Sequence, residues 1–73
     1  LLILRNRDVP GVIGAVGTLL GEAGVNIGEY HQGRLEAGGQ ALAAIAIDGK
    51  LDGEMLRQLE DLPDVLAVHQ VAL

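Results

Sequence analysis

The residues that most constrain the fold are 6–14, Asn-Arg-Asp-Val-Pro-Gly-Val-Ile-Gly, because they separate two different hydrophobic patterns. Before them, the apolar run at residues 1–4 predicts a buried strand that ends near Asn6. After them, apolar residues at helical spacing predict the buried stripe of a helix: Ile13, Val16, Leu20 and Ala23. Pro10 is expected in the first turn of that helix, where its missing N–H is harmless. The segment therefore joins a strand to a helix.

The following residues predict a hairpin. Gly24 is expected to end the first helix. Residues 25–35 then predict a long second strand and residues 40–48 a third, with Gly38 and Gly39 as the turn between them.

The second helix is predicted to begin at Asp52, which can cap it, and to stop at Pro63. Its inward-facing residues are expected to be Met55, Leu56 and Leu59. Residues 65–73 predict a fourth strand. The order βαββαβ predicts an α+β, ferredoxin-like sandwich, in which a four-stranded antiparallel sheet carries both helices on one face.

The composition indicates one small domain over residues 1–73. Apolar residues make up 49% of the chain, but no apolar run approaches membrane-spanning length. The chain has no cysteine and no signal-peptide pattern, so a cytoplasmic location is expected. It starts without Met and opens directly in a strand, and we therefore expect a fragment of a longer chain.

Charge and residue types argue against two classes of function. The net charge is −5 and Tyr30 is the one aromatic residue, whereas nucleic-acid binding needs a basic stripe and stacking platforms. The chain has no Ser or Cys, and its one Thr, Thr18, lies inside the first helix, so no catalytic triad can be assembled. His31 and His69 have no third ligand at metal-binding spacing. We expect a ligand-sensing module without catalytic residues, metal or cofactor.

The strand–helix junction offers groups that suit a small zwitterion such as an amino acid. It presents free backbone N–H groups, the Asp8 carboxylate and two amides, Asn6 and Asn26. Asp8 can receive an ammonium group, or it can be an ordinary N-cap. Asn26 has little propensity for the start of a strand, which favours a ligand site, but it can also be a turn residue.

Glycines recur on one face of the first helix, at Gly14, Gly17, Gly21 and Gly24. Each costs roughly 1 kcal/mol relative to alanine in a helix interior, so the stripe indicates close approach of another backbone. The sheet beneath or the same helix of a partner subunit could supply it, and the partner is favoured because the apolar stripe already serves the sheet. Tyr30 is expected to cover the ligand or the dimer seam, or else to pack across strands.

These motifs resemble the ACT domain family over almost the whole chain. The resemblance is carried by residues 6–14 and 24–27, with further matches at residues 38–42 and 62–65. An acid or amide followed by any residue, Pro and Gly, with an Asn sixteen positions after the Pro, is typical of amino-acid-binding members. Within the family, the chain is similar to the carboxyl-terminal regulatory domain of bacterial D-3-phosphoglycerate dehydrogenases.

The resemblance implies an effector site at a seam between two domains that pair edge to edge into an eight-stranded sheet. Asp8 would take the ammonium of a serine effector, and the N–H groups of Gly11 and Val12 would hold its carboxylate. Asn26 of the partner subunit would hold the ligand from the other side. Asn6 stands where many members have a His or Tyr that contacts the effector. The expected effector site comprises Asn6, Asp8, Pro10, Gly11, Val12, Asn26 and Ile27, and the expected dimer seam comprises Gly14, Gly17, Gly21 and Tyr30.

The expected function is therefore regulatory binding of L-serine, with feedback control of serine biosynthesis through domain pairing. The resemblance implies a homodimer through the sheet edge and first helix, and NAD in the catalytic part of the parent enzyme. Two alternatives stay open: the ACT domain of an L-serine dehydratase β chain, and a dimerisation module without a live ligand site.

Overall fold

A computed structural model describes residues 1–35 and 39–72, and its elements follow the predicted βαββαβ order. The elements are β1 Leu2–Arg7, α1 Val12–Glu22, β2 Ile27–Arg34, β3 Gln40–Ile47, α2 Gly53–Glu60 and β4 Val65–Gln70. The predicted second strand began two residues early and the fourth ran past Gln70. The predicted turn residue Gly38 lies outside the described residues. No described helix is long and apolar enough to cross a membrane.

The strands form one antiparallel sheet in the order β2-β3-β1-β4. In the central strand β1, Leu4 lies opposite Ala43 of β3 on one side and opposite Val68 of β4 on the other. All three of these residues are buried in the same core cluster. The strands β2 and β4 are the two edges of the sheet, so each has a row of backbone groups without a strand partner.

Both helices cover the same face of the sheet, as the ferredoxin-like fold predicts. Leu20 of α1 and Leu59 of α2 are fully buried in one cluster with Leu2 and Ile45 of the sheet. Met55 and Leu56 pack against this cluster while staying half-buried, so the predicted inner face of α2 is confirmed. The Asp52 side chain accepts a hydrogen bond from the N–H of Met55 at 2.8 Å and caps α2 as expected.

The buried stripe of α1 differs by one position from the prediction. Val16 and Leu20 are buried as expected, but the first position of the stripe is Val12, and Ile13 is 48% exposed. Ala23 is also exposed, beyond the last helical residue. Val12 lies four residues before Val16 and Ile13 lies three residues before it, and both spacings fit a helix of 3.6 residues per turn. Sequence periodicity alone therefore could not choose between Val12 and Ile13.

Two glycines with positive φ set the limits of α1. Gly11 is the N-cap at φ 93°, so Pro10 lies in the preceding turn and not in the first helical turn as predicted. Gly24, at φ 76°, ends the helix as predicted. The Gly24 N–H donates to the Gly21 carbonyl and the Val25 N–H to the Leu20 carbonyl, which is the Schellman arrangement. These glycines fix where the loops on either side of α1 leave the helix.

The observed stripe predicts unequal costs for two truncations on α1. Leu20→Ala is expected to lower the free energy of unfolding by about 3 kcal/mol, because it leaves a cavity in the core. Ile13→Ala is expected to change it by less than about 0.5 kcal/mol, because that side chain is half in solvent. Urea unfolding of dilute protein measures both values. Equal losses for the two variants would contradict the observed face of α1.

Candidate functional site

The loop between β1 and α1 lies at the end of the sheet where β2 stops and β3 starts. The Asp8 N–H donates to the Gly39 carbonyl at 2.9 Å, which ties the loop to the entry of β3. The register supports the same placement, since Arg7 lies opposite Gln40 and Arg34 lies opposite Ala41. Backbone pairing therefore places Asp8 and the last residue of the edge strand β2 at the same end of the sheet, on either side of β3.

The Asp8 carboxylate pairs with Arg34 and does not cap α1. Its Oδ2 lies 2.6 Å from Nε of Arg34, and the side chain of Asp8 is 15% exposed against 74% for Arg34. The N-cap of α1 is Gly11, with no side-chain cap. The N-cap interpretation of Asp8 is therefore wrong. Sequence analysis missed Arg34, because only the β2–β3 register shows that these two residues meet.

The start of α1 is open to an acceptor from outside the helix. Its first-turn N–H groups have no intrahelical carbonyl, and the first turn carries no acidic residue. A cavity of about 230 Å³ lies against this turn, lined by Pro10, Gly11, Val12, Ala15, Pro63 and Asp64. The predicted site residues Pro10, Gly11 and Val12 thus share one cavity wall, where donors and the helix dipole favour an anion.

Asn6 is buried beneath this region instead of lying open to solvent. Its side chain is fully inaccessible, and Nδ2 donates to the Arg7 carbonyl at 2.8 Å. Its Oδ1 has no hydrogen-bond partner among the described residues. A buried carbonyl oxygen without a donor costs about 1–3 kcal/mol, so this position is disfavoured until a donor reaches it.

Asn26 lies at the opposite end of the sheet from Asp8. It is exposed and directly precedes Ile27, the first residue of β2, while Arg34 is the last. At about 3.3 Å per residue, the two ends of β2 are roughly 25 Å apart. Asp8 and Asn26 of one chain therefore cannot hold the same small ligand. Half-buried Ile27 packs against the core cluster at the Asn26 end.

The edge strand β2 carries the predicted seam residue Tyr30. The side chain is half-buried against the core cluster and lies opposite Ile45, as the cross-strand packing interpretation expects. Its hydroxyl is nevertheless buried without a partner among the described residues. Desolvation by burial raises the pKa of Tyr30 above its usual value of 10.0.

The glycine stripe of α1 faces open space. A Cβ added at Gly14, Gly17 or Gly21 would meet nothing within 4 Å. The sheet therefore does not require glycine at these positions, which removes one of the two explanations given by the sequence. Among residues 1–35 and 39–72, no three His, Cys, Asp or Glu side chains are grouped to hold a metal ion.

The family model of the ACT domain matches residues 1–64, and the chain belongs to the ACT domain family. The chain is 34% identical over its whole length to D-3-phosphoglycerate dehydrogenase of Bacillus subtilis, of which it covers 14%. It is 31% identical, over 97% of its length, to the probable L-serine dehydratase β chain of the same organism, of which it covers 32%. It therefore spans a small part of each relative.

A solved structure supports the fold independently of close sequence similarity. The C-terminal domain of the MgtC protein from Mycobacterium tuberculosis matches 93% of this chain and 79% of its own, with a TM-score of 0.62 at 16% identity. This likeness concerns the fold alone.

The buried hydroxyl of Tyr30 predicts a loss of stability in alkali. Because burial favours the neutral phenol, the pKa is higher in the folded than in the unfolded chain. The neutral phenol therefore contributes to the stability of the folded chain. This contribution is complete below the unfolded pKa of 10.0 and is lost as pH rises through the folded pKa. The free energy of unfolding, measured with urea, should therefore fall less between about pH 9 and about pH 11 for Tyr30→Phe than for the unmodified protein. The same decline in both would contradict this account of Tyr30.

Proposed function

We propose that the chain is the regulatory domain of a D-3-phosphoglycerate dehydrogenase and binds L-serine at a site shared by two copies. The observation that carries this proposal is the position of Asp8. Asp8 lies three residues before Gly11, the N-cap at the open start of α1, so an acceptor for ammonium directly precedes donors for a carboxylate in the chain. The family membership and the dehydrogenase relative support a dehydrogenase as the parent enzyme.

Two copies can complete the site if their β2 strands pair antiparallel. In that arrangement the start of one β2 lies beside the end of the other, so Asn26 of the partner subunit approaches Asp8 and Arg34. The edge position of β2 leaves its backbone groups available for the pairing. The open glycine face of α1, formed by Gly14, Gly17 and Gly21, leaves room for close approach of α1 from the partner subunit.

Regulation follows from a site that exists only in the paired state. A ligand that binds two paired domains better than separate ones shifts the population toward pairing. In the parent enzyme this shift would restrain the catalytic parts, where NAD would bind, and slow turnover. The domain itself would hold the effector and no cofactor, in a cytoplasmic enzyme.

The dehydratase relative supports a second parent. The same domain and site would then belong to an L-serine dehydratase β chain, as the 31% identity allows. A third possibility is a dimerisation module whose ligand site is no longer active. Binding of L-serine separates this third possibility from the other two, and assay of the complete parent enzyme separates the two parents.

The direct test is calorimetric titration of the chain with L-serine, with glycine and L-valine as controls, alongside its mass in solution. Saturable binding of about one serine per chain by a dimer supports the proposal. A well-folded dimer that takes up none of the three amino acids would leave a dimerisation module. Selective binding of valine would move the parent away from serine metabolism.

Mixing two inactive variants tests whether the site is shared. Asp8→Ala and Asn26→Ala should each abolish serine binding alone. After unfolding and refolding together, half of the dimers are mixed, and each mixed dimer has one intact and one doubly altered site. About one quarter of all sites should therefore bind serine. Refolded mixtures that stay inactive, although mixed dimers form, would contradict a site built from two chains.

Substitutions at Gly17 separate the folding of the monomer from pairing. Gly17→Ala should stabilise the separated monomer by about 0.5–1 kcal/mol, because alanine favours helix and its Cβ has open space. Gly17→Leu should weaken dimerisation, because the leucine side chain would occupy the space needed by α1 of the partner subunit. Gln58→Leu on the exposed face of α2 is the matched control. Sedimentation equilibrium that shows equal dimerisation of Gly17→Leu and the control would exclude α1 from the seam.

A further inference from the structure

We propose that Arg34 is part of the effector site and holds the carboxylate of the bound amino acid. This inference rests on the proposed function and changes one part of it, because Arg34, and not only the N–H groups at the start of α1, would hold the carboxylate. It makes the site a paired carboxylate and guanidinium, which selects ligands that carry both an ammonium and a carboxylate group.

The contact between Asp8 and Arg34 leaves the outer part of the guanidinium available. The ion pair uses Nε, 2.6 Å from Oδ2 of Asp8. Among residues 1–35 and 39–72, no other carboxylate pairs with Arg34, and its side chain is 74% exposed. A guanidinium has five N–H donors in a planar fork, so the two terminal nitrogens can still hold a carboxylate bidentately.

Asp8 keeps capacity for the ammonium group of the same ligand. Oδ2 makes the 2.6 Å contact with Arg34, and no described protein donor bonds the other oxygen. The side chain is largely covered, which strengthens a charge interaction relative to open solvent. An α-amino acid carries its two charged groups on one carbon, so adjacent acceptor and donor groups on Asp8 and Arg34 match it.

The ion pair is not needed to hold the loop in place. The hydrogen bond from the Asp8 N–H to the Gly39 carbonyl already ties the loop to β3. An ion pair with one largely exposed partner contributes little to stability. The placement of Arg34 instead links the loop to the end of edge strand β2, where Asn26 of the partner subunit would arrive. A ligand held by Arg34 thus touches the strand that pairs.

The experiment compares L-serine with L-serinamide, which keeps the ammonium and hydroxyl groups but lacks the carboxylate. Affinities are measured by calorimetry and NMR titration for the unmodified dimer, Arg34→Gln and Arg34→Lys. Arg57→Gln is the control, because Arg57 is exposed on α2 and pairs with no carboxylate among residues 1–35 and 39–72. Arg34→Gln is expected to weaken serine binding about 10- to 100-fold and to leave serinamide binding unchanged. The control should match the unmodified dimer with both ligands.

Arg34→Lys distinguishes a charge that binds the ligand from a residue that shapes the site. Lys keeps the cation and should restore part of the serine affinity lost in Arg34→Gln. Equal weakening of serine and serinamide by Arg34→Gln, or no recovery in Arg34→Lys, would overturn the assignment. If serinamide binds neither protein measurably, the comparison of Gln with Lys decides alone.

The outcomes also separate this inference from the proposed function. Unmodified serine affinity in Arg34→Gln would remove Arg34 from the site while leaving the proposed function intact. Failure of the unmodified dimer to bind serine would instead overturn both.

Discussion

The antiparallel pairing of β3 with β1 on one side and β2 on the other determines where every charged group of the site lies. It places the last residues of β1 and β2 and the first residues of β3 at one end of the sheet. Asp8 follows β1 at this end, and its Oδ2 lies 2.6 Å from Nε of Arg34, a residue 26 positions later in the chain. A shift of the register by one residue would turn Arg34 to the other face and remove this contact. The site therefore depends on backbone hydrogen bonds far more than on the modest energy of the ion pair itself.

Two surfaces of one chain would face a second copy in the proposed dimer. β2 is an edge strand, and the glycine face of α1 borders open space. The two polar residues that the sequence assigned to one ligand lie at opposite ends of β2. A second copy, paired antiparallel along β2, would address each of these features. It would also bring donors from another chain toward Asp8, where we propose that the ligand binds.

The sequence predicted the element order, sheet, capping by Asp52 and the ending of α1 at Gly24, because these follow from local periodicity and turn chemistry. It misplaced the α1 stripe at Ile13, since the helix begins at Val12 and one period fits both residues. It could not find Arg34, because the contact with Asp8 depends on pairing between strands that are distant in sequence. It also left Asp8 open between cap and ligand residue, and only the position of Gly11 as N-cap removed the first interpretation. Short-range rules therefore recovered the fold, whereas the site required the register.

The central claim is that the effector site is completed by a second copy of the chain. The most direct measurement is the affinity for L-serine at chain concentrations that run from well below to well above the dimer dissociation constant. Linkage requires that serine binds more tightly as the chain becomes dimeric, and that serine in turn strengthens dimerisation by the same factor. The account predicts both changes. A serine affinity that is the same for monomer and dimer would contradict it, because one chain alone would then hold the complete site.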